Sequence, residues 1–309
     1  MQPIKLIPAC QDYLWGGTKL REQFNVNSDM QPLAEAWVLS AHRAGESIVA
    51  NGADAGCTLS AYVAKYAGVC GENAARFSDF PILIKLIDAK QQLSVQVHPD
   101  DAFAQEHEGG YGKTEMWYVL SADEGAALYY GFERKVTPDE VRERIAAGTL
   151  DDVLHAVPVK AGDVFFLPPG TVHAIGAGMV ICEIQQNSNT TYRLYDYNRR
   201  DAAGNLRELH VEKALAVSEL APAPVMGGDG DMLADCEYFR VRQATVNGEK
   251  TETVTAASFV SVVVVKGEGT LSMDGETLPL QQGDSIFIPA QEGTYTVSGD
   301  MQLVLTDIP

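Results

Sequence analysis

The stretch that decides the fold is GDVFFLPPGTVH, residues 162–173. Gly162 and Asp163 are typical of a turn into a strand, the apolar run after them is that strand, and Pro168 to Gly170 form a tight turn out of it. His173 then begins a strand that runs back across the sheet. Because this turn fixes where the imidazole points, we interpret His173 as a metal ligand rather than as an ordinary core or surface histidine.

Strand-like stretches lie on both sides of this motif and dominate the first part of the chain. Their spacing, with Gly, Pro and Asp between them, is typical of a sandwich or barrel. These stretches are residues 34–41, 46–50, 81–89, 93–98, 115–120, 125–132, 163–168, 179–186 and 191–197. Helices are predicted as insertions, with Thr58 and Thr137 as N-caps and Gly68 and Gly148 as stops, at residues 58–68, 98–110, 137–148 and 209–217.

A second β-rich block follows a linker at residues 221–231, APAPVMGGDGD, which is rich in Pro, Gly and small residues. Residues 282–297, QGDSIFIPAQEGTYTV, parallel residues 161–175, AGDVFFLPPGTVHAI, because both run Gly-Asp, apolar strand, Pro. The second copy contains no histidine. We therefore predict two units, residues 1–222 and 223–309, of which the first holds the working site and the second is a structural copy.

The composition excludes several classes of partner. The net charge of the 309 residues is −19, which argues against nucleic acid because binding a phosphate backbone needs a basic face. No long apolar run and no hydrophobic signal core are present, so we expect no membrane span and a cytoplasmic protein. The five cysteines are scattered, which indicates reduced, structural thiols.

Two further stretches place polar side chains on one face of a strand. In LSVQVHP, residues 93–99, Ser94, Gln96 and His98 alternate with apolar residues. In KTE, residues 113–115, Lys113 and Glu115 share a face because side chains alternate along a strand. Because the chain is so acidic, a lysine that faces a pocket is expected to have a specific role there.

The motif at residues 162–173 resembles the second characteristic motif of the cupins, small jelly-roll barrels that hold a metal on inward-facing side chains. The resemblance implies a mainly β protein, a double cupin with short helical insertions. The first cupin motif supplies further His and Glu ligands, for which His98 and Glu115 are the candidates, although Glu115 alone also fits a solvated strand end. Two imidazoles and a carboxylate suit Zn²⁺, and they equally describe the facial triad of non-haem Fe(II) oxygenases.

The residues near these candidate ligands narrow the resemblance to one family. SVQVHP and KTE are similar to the S-x-Q-x-H-P and K-x-E signatures of type I mannose-6-phosphate isomerases. In that family an acidic residue and then an essential arginine follow the late histidine ligand, and here these are Glu183 and Arg193. The segment around Trp15-Gly16-Gly17 and residues 34–47 also resemble the start of this family. NSNTTYR, residues 187–193, departs from the S-D-N-V-x-R run of longer members, which leaves the role of residues 187–192 open.

The resemblance implies a metal-dependent aldose–ketose isomerase that interconverts mannose 6-phosphate and fructose 6-phosphate through a cis-enediol. One Zn²⁺ per chain is expected on a set of four ligands, which are Gln96, His98, Glu115 and His173. Arg193 is expected to bind substrate and to stabilise the enediolate, and Ser94 and Lys113 are expected to bind the phosphate. The proton-transfer base stays open between Glu183 and Lys113, and Glu183 is alternatively an acceptor that orients a ligand or Arg193.

Two other functions stay open at this level. A cupin-type Fe(II) dioxygenase fits the ligand types but gives no reason for Ser94, Lys113 and Arg193. A non-catalytic sugar-binding cupin does not need an ordered set of four ligands. As partners we expect a small-molecule sugar phosphate, no nucleic acid and no membrane, and we expect a monomer or weak homodimer.

Overall fold

The computed structural model describes residues 1–200 and 204–309, and within them the protein is mainly β. Before residue 200 the strands are, in chain order, β1 (Ile4–Ile7), β2 (Ala9–Gln11), β3 (Glu35–Leu39), β4 (Ala41–His42), β5 (Gly45–Glu46), β6 (Ile48–Val49), β7 (Ile82–Ala89), β8 (Val95–Val97), β9 (Glu115–Ala122), β10 (Ala127–Phe132), β11 (Leu154–Pro158), β12 (Val164–Leu167), β13 (His173–Ala174), β14 (Met179–Gln186) and β15 (Tyr192–Tyr195). After residue 204 they are β16 (Met232–Asp235), β17 (Arg240–Val254), β18 (Val260–Met273), β19 (Glu276–Gln281), β20 (Ser285–Ile288) and β21 (Gly293–Asp307).

The helices are short insertions, as the sequence predicts. They are α1 (Lys19–Glu22), α2 (Leu59–Lys65), α3 (Asp101–His107), α4 (Pro138–Ala147) and α5 (Val211–Val217). Thr137 caps α4 by accepting the N–H of Glu140, and Gly148 ends it at φ +70°. Helix α3 begins at Asp101 after its N-cap Asp100, and α2 ends before Gly68. In the described part of the chain no helix is both long and apolar enough to cross a membrane.

The central layer is a six-stranded antiparallel sheet in the order β12-β9-β14-β7-β3-β2. Both of its faces are buried. Along β14, Met179 and Ile181 pack into one apolar cluster, whereas Val180, Cys182 and Ile184 pack into another on the opposite face. A strand covered on both faces needs apolar residues at every position, which accounts for its nearly continuous apolar sequence.

A five-stranded sheet, β11-β10-β13-β8-β15, covers one face of the central sheet. The two sheets share an apolar cluster in which Trp117 and Phe165 of the central sheet meet Leu128 and Tyr130 of β10. Trp117, Phe165 and Tyr130 therefore belong to the core between the two sheets. The two sheets together make the first barrel, and its interior holds the candidate site.

The C-terminal sheet covers the other face of the central sheet, and β17, β18 and β21 form its centre. Its edge is completed by the N-terminus, because β1 pairs with β20 so that Ile4 is opposite Phe287 and Leu6 is opposite Ser285. Strand β6 then pairs with β1. The division at residues 222 and 223 stays a prediction, and the strand order shows that one sheet draws on residues from both sides of it.

The two repeat copies form the same turn. Gly162 (φ +92°) donates its N–H to the carbonyl of Val119 at 2.8 Å, and Gly283 (φ +94°) donates to the carbonyl of Val264 at 2.8 Å. In each copy the following aspartate accepts the backbone N–H three residues before it, at 2.9 Å in the first and 2.8 Å in the second. The positive φ is the physical reason for glycine at both positions.

The copies differ at the position that matters for chemistry. Leu167 of β12 is opposite Glu115, whereas Ile288 of β20 is opposite Val260. Val260 therefore stands where the first copy has its carboxylate, and it belongs to an apolar cluster inside the second barrel. This agrees with the prediction that the second copy is structural.

Candidate active site

One wall of the site is a row of side chains across the central sheet. In register, Trp37 of β3 is opposite Lys85 of β7, Lys85 is opposite Glu183 of β14, and Glu183 is opposite Trp117 of β9. Side chains opposite each other in a ladder lie on the same face. Glu115, two residues from Trp117, adds a carboxylate to that face.

The facing wall is a second row, on the five-stranded sheet. Tyr130 of β10 is opposite His173 of β13, His173 is opposite Gln96 of β8, and Gln96 is opposite Arg193 of β15. Four residues from distant parts of the sequence therefore come together because their strands pair in this order. His98 lies two residues after Gln96.

His98, Glu115 and His173 converge between the two walls. Each offers one ligand atom, and these atoms all lie within 4.8 Å of one another. Nε2 of His173 lies 3.2 Å from Oε1 of Glu115, and Nε2 of His98 lies 3.6 Å from Oε2 of the same carboxylate. All three side chains are buried. The structure thus brings together the three residues that the sequence predicts as charged or imidazole ligands.

Backbone carbonyls orient both imidazoles. Nδ1 of His98 lies 2.9 Å from the carbonyl of Thr190, and Nδ1 of His173 lies 2.8 Å from the carbonyl of Thr171. Each Nδ1 therefore carries the proton and donates it, and each Nε2 presents a lone pair. Burial lowers the pKa of His173 to about 3. Burial, with the charge of Lys113, also lowers the pKa of His98 well below its usual value, so both rings are neutral at pH 7.

The cluster fits a divalent metal ion. Within residues 1–200 and 204–309, Oε1 of Glu115 and Nε2 of His173 are buried and make no hydrogen bond. Buried polar atoms normally have a partner, so two buried acceptors that face each other without one form a place suited to a cation. Gln96 is the row neighbour of His173 and lines the same cavity. A donor set of two nitrogens and carboxylate oxygen does not distinguish zinc from iron.

Lys113 and Glu183 lie next to this cluster. The ammonium of Lys113 bonds Oε2 of Glu115, lies 3.2 Å from Nε2 of His98 and lies 3.7 Å from Oε1 of Glu183. Burial raises the pKa of Glu115, to about 7. Burial acts the same way on Glu183, but Lys113 and Lys85 outweigh it and lower the pKa of Glu183 to about 2. Glu183 is therefore an ionised carboxylate at neutral pH.

Glu183 is held in place by a buried network of charged and indole side chains that the sequence analysis missed. Lys85 lies 3.2 Å from Oε1 of Glu183 and 3.7 Å from Glu35, while the indole of Trp117 donates to Oε2 of Glu183 at 2.9 Å. The indole of Trp37 donates to Glu35 at 2.6 Å. A signal was present, because Lys85 is a lone charge within the apolar strand PILIKLIDA, and a buried lysine needs a charged partner.

These walls enclose a cavity of about 250 Å³. Of the residues predicted for the site, those that line the cavity are Ser94, Gln96, Lys113, Glu183 and Arg193. Trp15 also lines it and stacks on Tyr13, with 5.6 Å between the ring centroids. Arg207 lines it as well, and sequence reasoning missed this residue because it lies in a segment without strand or helix pattern.

Arg193 faces the cavity with part of its donor capacity unused. Nη1 donates to the carbonyl of Glu208 at 2.9 Å, and Nε is buried without a hydrogen-bond partner among the described residues. Asp196 forms an ion pair with Arg199, and the same carboxylate also accepts from Arg207.

Comparisons with known proteins agree with this geometry. Two family models match the chain: "Phosphomannose isomerase type I, catalytic domain" over residues 4–124 and "Mannose-6-phosphate isomerase, cupin domain" over residues 230–308. A mannose-6-phosphate isomerase of Streptococcus mutans is 39% identical, over 98% of this chain and 97% of its own length. The crystal structure of a mannose 6-phosphate isomerase from Bacillus subtilis superposes with a TM-score of 0.91 at 35% identity, covering 99% of both chains. The predicted cupin fold is confirmed.

Proposed function

The chain belongs to the type I mannose-6-phosphate isomerase family, and from that premise we propose that it interconverts mannose 6-phosphate and fructose 6-phosphate in the cavity of the first barrel. The proposal includes one Zn²⁺ per chain, a cytoplasmic location, and a monomer or weak homodimer. The observation that carries it is the buried His98–Glu115–His173 cluster, in which Oε1 of Glu115 and Nε2 of His173 have no hydrogen-bond partner, beside the ion pair of Lys113 and Glu183.

Gln96, His98, Glu115 and His173 would hold the metal. A divalent ion bound there would supply Lewis-acid polarisation of the carbonyl group of the sugar. The neutral imidazoles support this assignment, since a protonated histidine cannot be a ligand. The protein contributes the orientation of the two imidazoles, through the carbonyls of Thr171 and Thr190.

The substrate lies with its reacting end at this cluster and its phosphate at the other end of the cavity. Ser94 and Gln96 are on the same face of β8, about 6.6–6.8 Å apart along the strand, so the hydroxyl of Ser94 reaches past the metal ligands toward the phosphate. Two roles were expected for Lys113, and its contacts with Glu115 and His98 favour work at the reacting end over phosphate binding.

Proton transfer needs a base and an acid that face the same carbons. Glu183 is ionised and takes the proton from C2, while the ammonium of Lys113 donates a proton to the oxygen on C1, which leaves a neutral cis-enediol. Lys113 then recovers a proton from the hydroxyl on C2 as its carbonyl forms, and Glu183 returns its proton to C1. Every proton is conserved, and both groups end in their starting state.

Arg193 stabilises the charge that develops between these steps. Its guanidinium stays protonated, and it faces the cavity one strand away from Gln96. Positioned donors stabilise an enediolate because they need no rearrangement as the charge forms. Lys85 and Trp117 hold Glu183 in place through their bonds to its two oxygens.

The test is turnover of mannose 6-phosphate in deuterium oxide, followed by NMR of the C1 and C2 hydrogens. The wild type is expected to convert the sugar. The Glu183→Gln variant is expected to lose turnover and C2 exchange together, because an amide cannot take the proton. Oxygen consumption is recorded in parallel. Exchange at C2 that survives in Glu183→Gln contradicts the role of Glu183, and no turnover by the wild type contradicts the proposed function.

A further inference from the structure

We propose that Arg207 binds the phosphate group of the substrate, as a second cation beside Arg193. This inference rests on the proposed function and adds to it a residue that no sequence motif marks. Its basis is the placement of Arg207 on the cavity wall, its charge balance, and its position relative to the metal ligands.

The segment that carries Arg207 is fastened to Arg193. The N–H of His210 donates to the carbonyl of Arg193 at 2.7 Å, and the N–H of Arg193 donates to Nδ1 of His210 at 3.1 Å. The guanidinium of Arg193 also holds the carbonyl of Glu208. Three hydrogen bonds therefore place this segment against β15, and Arg207 reaches the cavity from there.

The positive charge at this end of the cavity exceeds the negative charge. Nε and Nη2 of Arg207 donate to Asp196, and Arg199 donates to the same carboxylate. One aspartate thus serves two arginines, while Arg193 lies beside them. An arginine has five N–H donors, so Arg207 keeps donors for a ligand after its bonds with Asp196. An anion would relieve the repulsion between Arg193 and Arg207.

The position suits the far end of a hexose phosphate. Tyr195 is opposite Val95 in the ladder of β15 and β8, so Asp196, the next residue, lies level with Ser94. Ser94 is one side-chain step along β8 from Gln96, away from His98. Ser94, Asp196 and Arg207 therefore lie together on the side of the cavity away from the metal cluster. A phosphate there meets one hydroxyl and the guanidinium donors of Arg193 and Arg207.

The test compares Arg207→Gln, Arg207→Lys and, as a matched control, Arg200→Gln. Arg200 is exposed, donates to the carbonyl of Gly204, and does not line the cavity. For Arg207→Gln we expect KM for mannose 6-phosphate to rise about tenfold to a hundredfold with little change in kcat. A rise of this size corresponds to the loss of a charge-assisted hydrogen bond. Arg207→Lys should fall between it and the wild type, and Arg200→Gln should match the wild type.

Binding of inorganic phosphate, measured by calorimetry, gives a readout that needs no turnover. We expect its Kd to rise by the same factor as KM in Arg207→Gln. A KM and a phosphate Kd within twofold of wild type overturn the proposal, and so does a fall in kcat alone, which points to an effect through Asp196. If Arg207→Gln does not fold, Arg207→Lys decides, because it keeps the ion pair with Asp196. Wild-type phosphate binding without turnover would instead count against the proposed function.

Discussion

His98 and His173 are neutral because burial opposes a second proton on each ring and because a carbonyl holds each Nδ1 proton. A neutral imidazole whose Nε2 carries a lone pair is the form that binds a metal. In the proposed site these two rings would bind the metal, and in the metal-free protein Nε2 of His173 and Oε1 of Glu115 stay buried without a partner, which costs stability.

Substituting His173 and Arg193 is expected to abolish activity for different reasons. His173→Ala should lose bound metal and activity together, because it removes one of the ligands. Arg193→Ala should keep the metal and lower kcat by about a hundredfold or more, as expected when a donor to a developing anion is removed. Metal content and kcat are measured on the same samples, and full activity in Arg193→Ala would contradict its role.

The pH dependence of stability follows from the site in metal-free protein. A lowered pKa at His98 and His173 means that only the unfolded chain gains those protons below pH 6.5, so each ring destabilises the fold as pH falls. Glu115 has a raised pKa of about 7, so it gains its proton in the folded state first and offsets one histidine between pH 6.5 and 4.5. Just below pH 6.5 these three groups together should lower the free energy of unfolding by about 1.4 kcal/mol for each unit that the pH falls.

Urea unfolding with a chelator present, from pH 7.5 to 5, measures this slope. The His173→Gln variant is the matched comparison, because it keeps a polar side chain and removes one titrating ring. Its slope should be smaller than that of the wild type by about 1.4 kcal/mol per pH unit below pH 6.5, because one ring that only the unfolded chain protonates has been removed. An unchanged slope would mean that His173 does not titrate as its burial requires.

At this scale the sequence predicted the residues that belong to motifs and missed those that do not. Ser94, Lys113, Glu183 and Arg193 all line the cavity. Lys85 and Arg207 were missed because neither belongs to a motif. Lys85 comes next to Glu183 only through the pairing of β7 with β14, and Arg207 comes to the cavity only through the bonds between residue 193 and residues 208–210. Such neighbours follow from strand order, which one sequence does not state.

The turns of the repeat show what a single element requires. Gly162 and Gly283 have nearly the same φ, yet their surroundings differ. A Cβ on Gly162 would meet nothing within 4 Å, whereas a Cβ on Gly283 would lie 1.7 Å from the carbonyl oxygen of Phe24. The first glycine is needed only for its backbone conformation, and the second is needed also for close packing.

This difference predicts unequal effects of alanine at the two turns. Gly162→Ala should destabilise by about 1–2 kcal/mol, the cost of a positive φ for a residue with a Cβ. Gly283→Ala should cost clearly more, ~3 kcal/mol or above, because backbone must also move. Free energies of unfolding from urea titration compare the two variants directly. Equal losses of stability would show that the backbone at Phe24 moves aside without a cost in free energy.

Local patterns were reliable for elements whose signal is local. The caps of α4 lie at Thr137 and Gly148 as predicted, and β7, β9 and β14 lie within the apolar stretches that the sequence marks between Gly, Pro and Asp. The pairing of β1 with β20 was not predictable, because it joins residues at the two ends of the chain. No feature of the strand sequence IKLI indicates that its partner strand lies about 280 residues away.

For the molecule as a whole, the two barrels share one core. Ile84 and Ile184 of the central sheet belong to the same apolar cluster as Phe239, Phe259 and Phe287 of the C-terminal sheet. Across the same boundary, Lys5 forms an ion pair with Asp284 at 2.6 Å. A cluster built from both sides of residue 222 couples their stabilities.

We therefore expect a single cooperative unfolding transition for the full chain and no stable fold for residues 1–222 alone. The truncated chain would expose the face of the central sheet that Phe259 and Phe287 cover. Urea unfolding of the full chain, followed by both fluorescence and circular dichroism, tests the first expectation. Two separated transitions, or a folded and active fragment, would show that the barrels are independent.

The central claim is that His98, Glu115, His173 and Gln96 hold a metal that the isomerisation of mannose 6-phosphate requires. The most direct measurement is metal content per chain, taken together with a coupled assay on mannose 6-phosphate before chelation, after chelation and after adding Zn²⁺ back. We predict one divalent ion per chain, loss of activity with its removal, and recovery with zinc. Full activity in protein stripped of metal would contradict the account.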